Sequence, residues 1–122
     1  MSKTIMVVDD LFGVRLMVSF AVRDSGYEVV EAMDGMDALA KLDSEPSLSL
    51  IITDLRMARL DGIGLIKGVR SHETHRDTPI IMITTESDES IPSDGLESGA
   101  TDSIPKPFRP EQLIEVVRRI LA

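Results

Sequence analysis

A chain of 122 residues with 43% hydrophobic and 28% charged side chains has the composition of one globular domain, long enough to bury roughly 65 to 70% of the surface of its extended form, so general disorder is excluded. Its 21 acidic against 13 basic residues leave a net charge of −8, the wrong sign for a non-specific nucleic-acid or anionic-membrane binder. The absence of cysteine rules out a thiol nucleophile, a disulfide scaffold and a thiolate metal site while leaving the compartment open.

Ile5 to Val8 is a short apolar run that ends in Asp9 and Asp10, too short for a signal peptide or a membrane span, and it reads as a first strand. Val14, Met17, Val18, Ala21 and Val22 then recur at helical spacing. Tyr27 to Val30 is a second strand, and Ala38, Leu39 and Leu42 mark a second helix. Ser44 to Ser49 reads as a polar turn before the third strand, Leu50 to Ile52, which ends in Thr53-Asp54. A third helix runs from Gly62 through Ile63, Ile66 and Val69. Ile80 to Ile83 is the fourth strand, ending in Thr84-Thr85. Between Thr85 and Ala100 a short helix is expected, capped by Ser90 or Ile91, with Pro92 in its first turn and Gly99 at its end. Asp102-Ser103-Ile104 is a weaker fifth strand whose polarity suggests an edge. The last helix carries Leu113, Ile114, Val117, Ile120 and Leu121, with Pro110 in its first turn, where a missing amide hydrogen costs nothing.

Three of the strand runs have no polar face, as suits strands buried on both sides. Five such strands alternating with five helices describe an α/β, doubly wound parallel sheet covered on both faces. Residues 1–122 read as a single domain without repeat, linker or room for a separate output domain, although the chain could also be a piece of a larger protein. A soluble cytoplasmic location is expected.

Sites in such sheets form beyond the carboxyl ends of the strands, and these ends carry Asp9, Asp10, Asp54, Thr84, Thr85 and Lys106. Asp9 and Asp10 as helix-capping loop acids is the plain alternative. Adding Asp54 changes the balance, because gathered carboxylates repel and either raise a pKa or require a cation. With no His or Cys at any strand end, the donor set is all oxygen and the implied ion is hard: Mg²⁺ first, Mn²⁺ or Ca²⁺ as alternatives. No GxxxxGK[ST] or GxGxxG loop follows the first strand, which argues against a nucleoside-triphosphatase or a dinucleotide enzyme. Transfer of a phosphoryl group to a carboxylate fits the set. Asp54, alone at a central strand end, is the preferred acceptor, Asp9 and Asp10 the metal holders, and Lys106 and Thr84 the groups that neutralise and hydrogen-bond the phosphoryl oxygens. Lys106 could equally be a solvent-exposed loop lysine, although Pro105 and Pro107 restrict the backbone that aims it.

Val7-Val8-Asp9-Asp10, Ile52-Thr53-Asp54-Leu55-Arg56-Met57, Leu60-Asp61-Gly62, Thr84-Thr85-Glu86, Gly99-Ala100 and Lys106-Pro107-Phe108, in this order and spacing over nearly the whole chain, resemble the receiver domain of bacterial two-component response regulators, particularly the free-standing chemotaxis type. The resemblance implies a flavodoxin-like (βα)5 three-layer sandwich with strand order 2-1-3-4-5. It makes Asp54 the phosphoacceptor, and Asp9, Asp10, Asp54 and the backbone carbonyl of Arg56 the Mg²⁺ ligands. Thr84 would be the hydroxyl that turns toward the phosphoryl group and Lys106 its ion partner, with a cis bond before Pro107. Arg56, Met57, Thr85 and Glu86 would modulate the pocket, and Thr84 with Ser103 the output surface. It also implies a sensor-kinase phosphohistidine, or a small acyl phosphate, as donor, self-dephosphorylation, and a downstream effector such as the flagellar motor switch. Such a domain catalyses reactions on itself rather than on an external substrate.

Some residues depart from the pattern. Ser103 stands where an aromatic is usual, which weakens the expected switch, and Ala58 and Arg59 replace the usual proline and its follower, which is expected to loosen the loop after Asp54. Two other classes therefore stand beside the signalling domain: a degenerate receiver that binds partners without switching, and a small aspartyl-phosphate, metal-dependent phosphatase, disfavoured by short loops that offer no cap. His72 and His75 read as surface residues of a connecting turn, and Met36, Met57 and the other methionines as core filler or loop packing. Phe12, Phe20 and Phe108 are too few for base stacking, so no nucleic-acid contact is expected.

Overall fold

A computed structural model describes residues 3–122 apart from 58, 86–95 and 97. The chain runs β1 (Thr4–Val8), α1 (Phe12–Asp24), β2 (Glu28–Ala32), α2 (Gly35–Leu42), β3 (Leu48–Asp54), α3 (Gly62–Arg70), β4 (Ile80–Thr85), β5 (Asp102–Lys106) and α4 (Pro110–Leu121). All neighbouring strands are parallel, in the order β2-β1-β3-β4-β5. This is the expected flavodoxin-like arrangement. The helix expected between Ser90 and Gly99 falls mostly outside the described residues.

The apolar strand runs supply two cores, one on each face of the sheet. Met6, Val8, Ile51, Ile80 and Met82 pack with Leu42, Leu65, Ile66 and Val69 from α2 and α3. The alternate residues Ile5, Val7, Leu50, Ile52, Ile81 and Ile83 pack with Val18 and Val22 of α1 and Leu113 and Val117 of α4. Each fully buried side chain of this kind contributes about 1.5–3 kcal/mol relative to exposure. The period-2 alternation thus divides between two covered faces, which is why the runs lack a polar side.

Side-chain caps define the starts of α2 and α3. Asp34 caps α2 by accepting from the Asp37 amide at 2.8 Å, and Asp61 caps α3 by accepting from the Gly64 amide at 2.8 Å. Pro110 occupies the first turn of α4, where the Arg109 amide donates to Gln112 Oε1 at 2.8 Å. Among the described residues no helix is long and apolar enough to cross a membrane.

Three expectations are corrected. Leu48 and Ser49 belong to β3 rather than to a polar turn, because Leu48 pairs with Thr4 across a register shift that precedes Ile5. His75 is not a surface residue: it is 1% exposed, its Nδ1 lying 3.2 Å from Thr78 Oγ1 and its Nε2 3.1 Å from the Leu42 carbonyl oxygen. Both ring nitrogens have partners, so burial leaves no polar atom orphaned. The methionines divide. Met6 and Met82 are core and Met57 packs against it, but Met17, Met33 and Met36 are exposed, as is ordinary where a small fold lacks enough polar surface to cover itself.

Candidate functional site

The register of the two central strands assembles the acids. Val8 pairs with Thr53, so the next residues, Asp9 beyond the end of β1 and Asp54 as the last residue of β3, lie side by side at the carboxyl edge of the sheet. One carboxylate oxygen from each of Asp9, Asp10 and Asp54 can be chosen so that all lie within 4.8 Å of one another. Asp9 and Asp54 are buried and Asp10 is exposed. From the other side, Lys106 ends β5, opposite Thr85 of β4. Its Nζ lies 3.0 Å from Asp54 Oδ1, with only a quarter of the lysine side chain exposed. The solvent-exposed alternative for Lys106 is therefore set aside.

Asp9 is held from several directions. Its Oδ1 accepts from the Leu11 amide at 2.9 Å, its carbonyl accepts from Arg15 Nη1 at 2.6 Å, and its amide donates to the Ala32 carbonyl at 3.2 Å. Burial pushes its carboxyl above the ordinary 3.8, against the Leu11 amide, which lowers it; the Asp54 charge adds to the rise, Lys106 opposes it, and Asp10 adds a little more. Desolvation combined with like-charge neighbours makes the ionised cluster costly by itself and compatible with a cation. Three convergent oxygen donors, two of them buried, suit a hard divalent ion.

The chain beyond Asp54 is tied down rather than loosened. Thr53 Oγ1 donates to the Asp54 carbonyl at 2.9 Å, the Leu55 amide to Ile83 at 3.1 Å, and the Gly62 amide to the Leu55 carbonyl at 2.7 Å. A Cβ on Gly62 would stand 2.7 Å from the Asp54 carbonyl oxygen and 2.9 Å from Leu55 Cα, so only glycine lets α3 begin this close to the acceptor strand. Arg59, expected to relax the loop, instead forms an ion pair with Asp34, Nε to Oδ2 at 2.7 Å. Ala58 lies outside the described residues.

The remaining expected site residues are placed as follows. Thr84 is buried in β4, opposite Pro105. Arg56 is exposed and Met57 half-buried after the end of β3. The side chain of Thr85 and the whole of Glu86 lie outside the described residues. Ser103 is half-buried in β5, opposite Met82, and its amide donates to Asp102 Oδ1 at 2.8 Å. The Lys106–Pro107 bond is cis. Two residues with contacts near the site were missed. Arg15, which holds the Asp9 backbone, has no local signature. Asp34 does have one, since an acid three residues before Asp37 at a helix start is an N-cap pattern, but nothing local announces its pairing with Arg59, 25 positions on.

Such a site can do what a carboxylate nucleophile needs. It sets an acid at a strand end, places an ammonium against one of its oxygens, and gathers two further acids able to hold a cation beside it.

Comparison with known proteins agrees with this geometry. Residues 5–118 match the family described as the response regulator receiver domain. The chain is 37% identical over 118 residues to the chemotaxis protein CheY1 of Helicobacter pylori, covering 96% of this chain and 95% of that protein. It is 36% identical over 121 residues to the phosphate regulon transcriptional regulatory protein PhoB of Escherichia coli, covering 99% of this chain but 52% of PhoB; this chain therefore spans about half of that regulator. The structure superposes on chemotaxis protein CheY4 of Vibrio cholerae with a TM-score of 0.92 at 38% identity, covering 98% of this chain and 99% of that one.

Proposed function

The chain belongs to the response regulator receiver domain family, a family of phosphoaccepting signal-transduction domains, and from that premise we propose that Asp54 is the acceptor, that Asp9 and Asp10 bind Mg²⁺ beside it, and that Lys106 and Thr84 complete the site. The observation that carries this reading is the meeting of the three carboxylates within 4.8 Å with Lys106 Nζ 3.0 Å from Asp54 Oδ1.

In the forward step an Asp54 oxygen attacks the phosphorus of a sensor-kinase phosphohistidine or of acetyl phosphate. A P–O bond to Asp54 forms as the P–N or P–O bond of the donor breaks, and imidazole or acetate leaves with the electron pair. Lys106 offsets charge on Asp54 and then on the transferred group, and the Thr84 hydroxyl donates to a phosphoryl oxygen. Asp9 and Asp10, with the Arg56 backbone carbonyl, would hold the ion; Mg²⁺ there would supply positive charge that offsets the negative charge of the site, and Mn²⁺ suits the same donors. In a separate second step water attacks the phosphorus and the P–O bond to Asp54 breaks, releasing inorganic phosphate and restoring the carboxylate. The protein is thus its own substrate. Met57, Thr85 and Glu86 would tune access to Asp54, while Thr84 and Ser103 carry the change to an effector-binding surface. A histidine kinase upstream, an effector protein downstream and a cytoplasmic setting complete the proposal.

Intact-mass measurement after incubation with acetyl phosphate and Mg²⁺ tests it. One added phosphoryl mass is expected in the wild type and none in Asp54→Asn or after chelation. An unmodified wild type would overturn the assignment, and sustained turnover of a generic phosphate ester would indicate a phosphatase instead.

A further inference from the structure

Asp34 and Arg59 take no part in the phosphoryl chemistry described above, yet they make a two-pronged contact across the loop that follows the acceptor. Arg59 Nε donates to Asp34 Oδ2 at 2.7 Å and its Nη2 to Oδ1 at 2.9 Å. The same Oδ1 accepts the Asp37 amide as the N-cap of α2, and the Asp34 side chain is 8% exposed. Charge-assisted bidentate pairs of this kind fix geometry as well as adding energy. Arg59 itself sits at φ 68, a region that non-glycine residues uncommonly occupy and that persists where the surroundings over-determine it.

A second contact joins the same two segments independently. A Cβ on Gly35, the first residue of α2, would lie 2.5 Å from the Leu60 carbonyl oxygen and 2.8 Å from Leu60 Cβ. The start of α2 therefore rests directly on Leu60, the neighbour of Arg59. On its other side this stretch is closed by the Gly62 amide bonded to Leu55. The chain leaving Asp54 is thus pinned both to its own strand and to the N-terminus of α2.

We propose that Asp34 and Arg59 are a positioning pair, a latch that holds the segment between Asp54 and Gly62 against α2 and so sets the cation affinity of the acid cluster and the rate at which Asp54 accepts a phosphoryl group. The inference rests on the proposed function above. Neither residue touches the reacting atoms. When the latch is open the segment samples positions in which the site is incompetent, and the apparent cation affinity falls by the competent fraction.

The test uses variants that keep the local backbone: Arg59→Gly, which fits the positive φ but has no guanidinium, and Asp34→Ser, which keeps an N-cap acceptor but no charge. Three quantities are measured: Mg²⁺ affinity by calorimetric titration, acetyl phosphate labelling rate by intact mass, and hydrogen exchange of the Gly62 amide in the metal-free protein. Each single variant is expected to bind Mg²⁺ more weakly by the factor through which it lowers the competent fraction, about twofold or more, with slower labelling and faster Gly62 exchange. The double variant should be no worse than either single, the non-additivity of one shared interaction. Wild-type values in the singles, or effects that add in the double, overturn the latch while the proposed function stands. A wild type that neither binds Mg²⁺ nor takes up phosphate overturns the proposed function first, and the latch's role in the site with it.

Discussion

Asp9 and Asp34 show how one residue type takes opposite electrostatic roles. Burial raises Asp9, against the Leu11 amide, so the folded chain binds that proton more readily than the unfolded one. Asp9 therefore weakens the metal-free fold at neutral pH, and the penalty disappears as pH falls through the raised value toward the ordinary 3.8. Asp34 is lowered by its hydrogen bond to Arg59 and by the Asp37 amide; its contribution to stability is present above 3.8 and is lost as pH falls through the lowered value. Thermal denaturation of metal-free Asp9→Asn should show a higher melting temperature than the wild type at pH 7, with the gap closing on acidification to about pH 4. A gap independent of pH would assign the effect to packing. Asp10→Asn, exposed at the edge of the same cluster, should raise the Mg²⁺ dissociation constant by about tenfold or more, by loss of a charged oxygen donor; an unchanged titration would remove Asp10 from the donor set.

The β3-to-α3 connection is the element on which the site depends. The backbone at the end of β3 leaves no space for a methyl group at Gly62, whose Cβ would meet the Asp54 carbonyl oxygen and Leu55 Cα. Neither neighbour is a flexible side-chain end, so Gly62→Ala must displace either β3 or the start of α3. A loss of about 1–3 kcal/mol in urea denaturation is expected, together with slower acetyl phosphate labelling, since the displaced carbonyl belongs to Asp54 itself. Unchanged stability would mean that α3 can slide away from β3. Another tie of this scale is His75, which joins the α3–β4 connection to the end of α2 through the Leu42 carbonyl. Its spacing from His72 suggested only a polar turn, because the partner that makes burial tolerable lies 33 residues away.

Across the whole molecule, the acid cluster and Ser103 belong to different strands joined by β4: Asp54 pairs with Ile83, and Ser103 with Met82. A phosphoryl mimic at Asp54 should therefore reach β5 through Thr84. On adding beryllofluoride with Mg²⁺, amide shifts are expected to change at Thr84 and at Ser103; a silent Ser103 would show that the switch stops before the edge strand. Serine offers less surface than an aromatic ring, so the response at β5 should be local. The strand runs, their lack of a polar face and the acids at their ends were legible because burial on both sides of a parallel sheet imposes its own composition, and because sites in such sheets collect at strand ends. Each of those signals is local in the chain. Lys106 against Asp54, Arg59 against Asp34, His75 against Leu42 and the early start of β3 at Leu48 were decided only by tertiary structure, since each depends on register and packing between segments far apart in sequence. Local spacing therefore determined the elements and which acids face the same edge; the packed fold alone determined which charges meet and how firmly the acceptor loop is held.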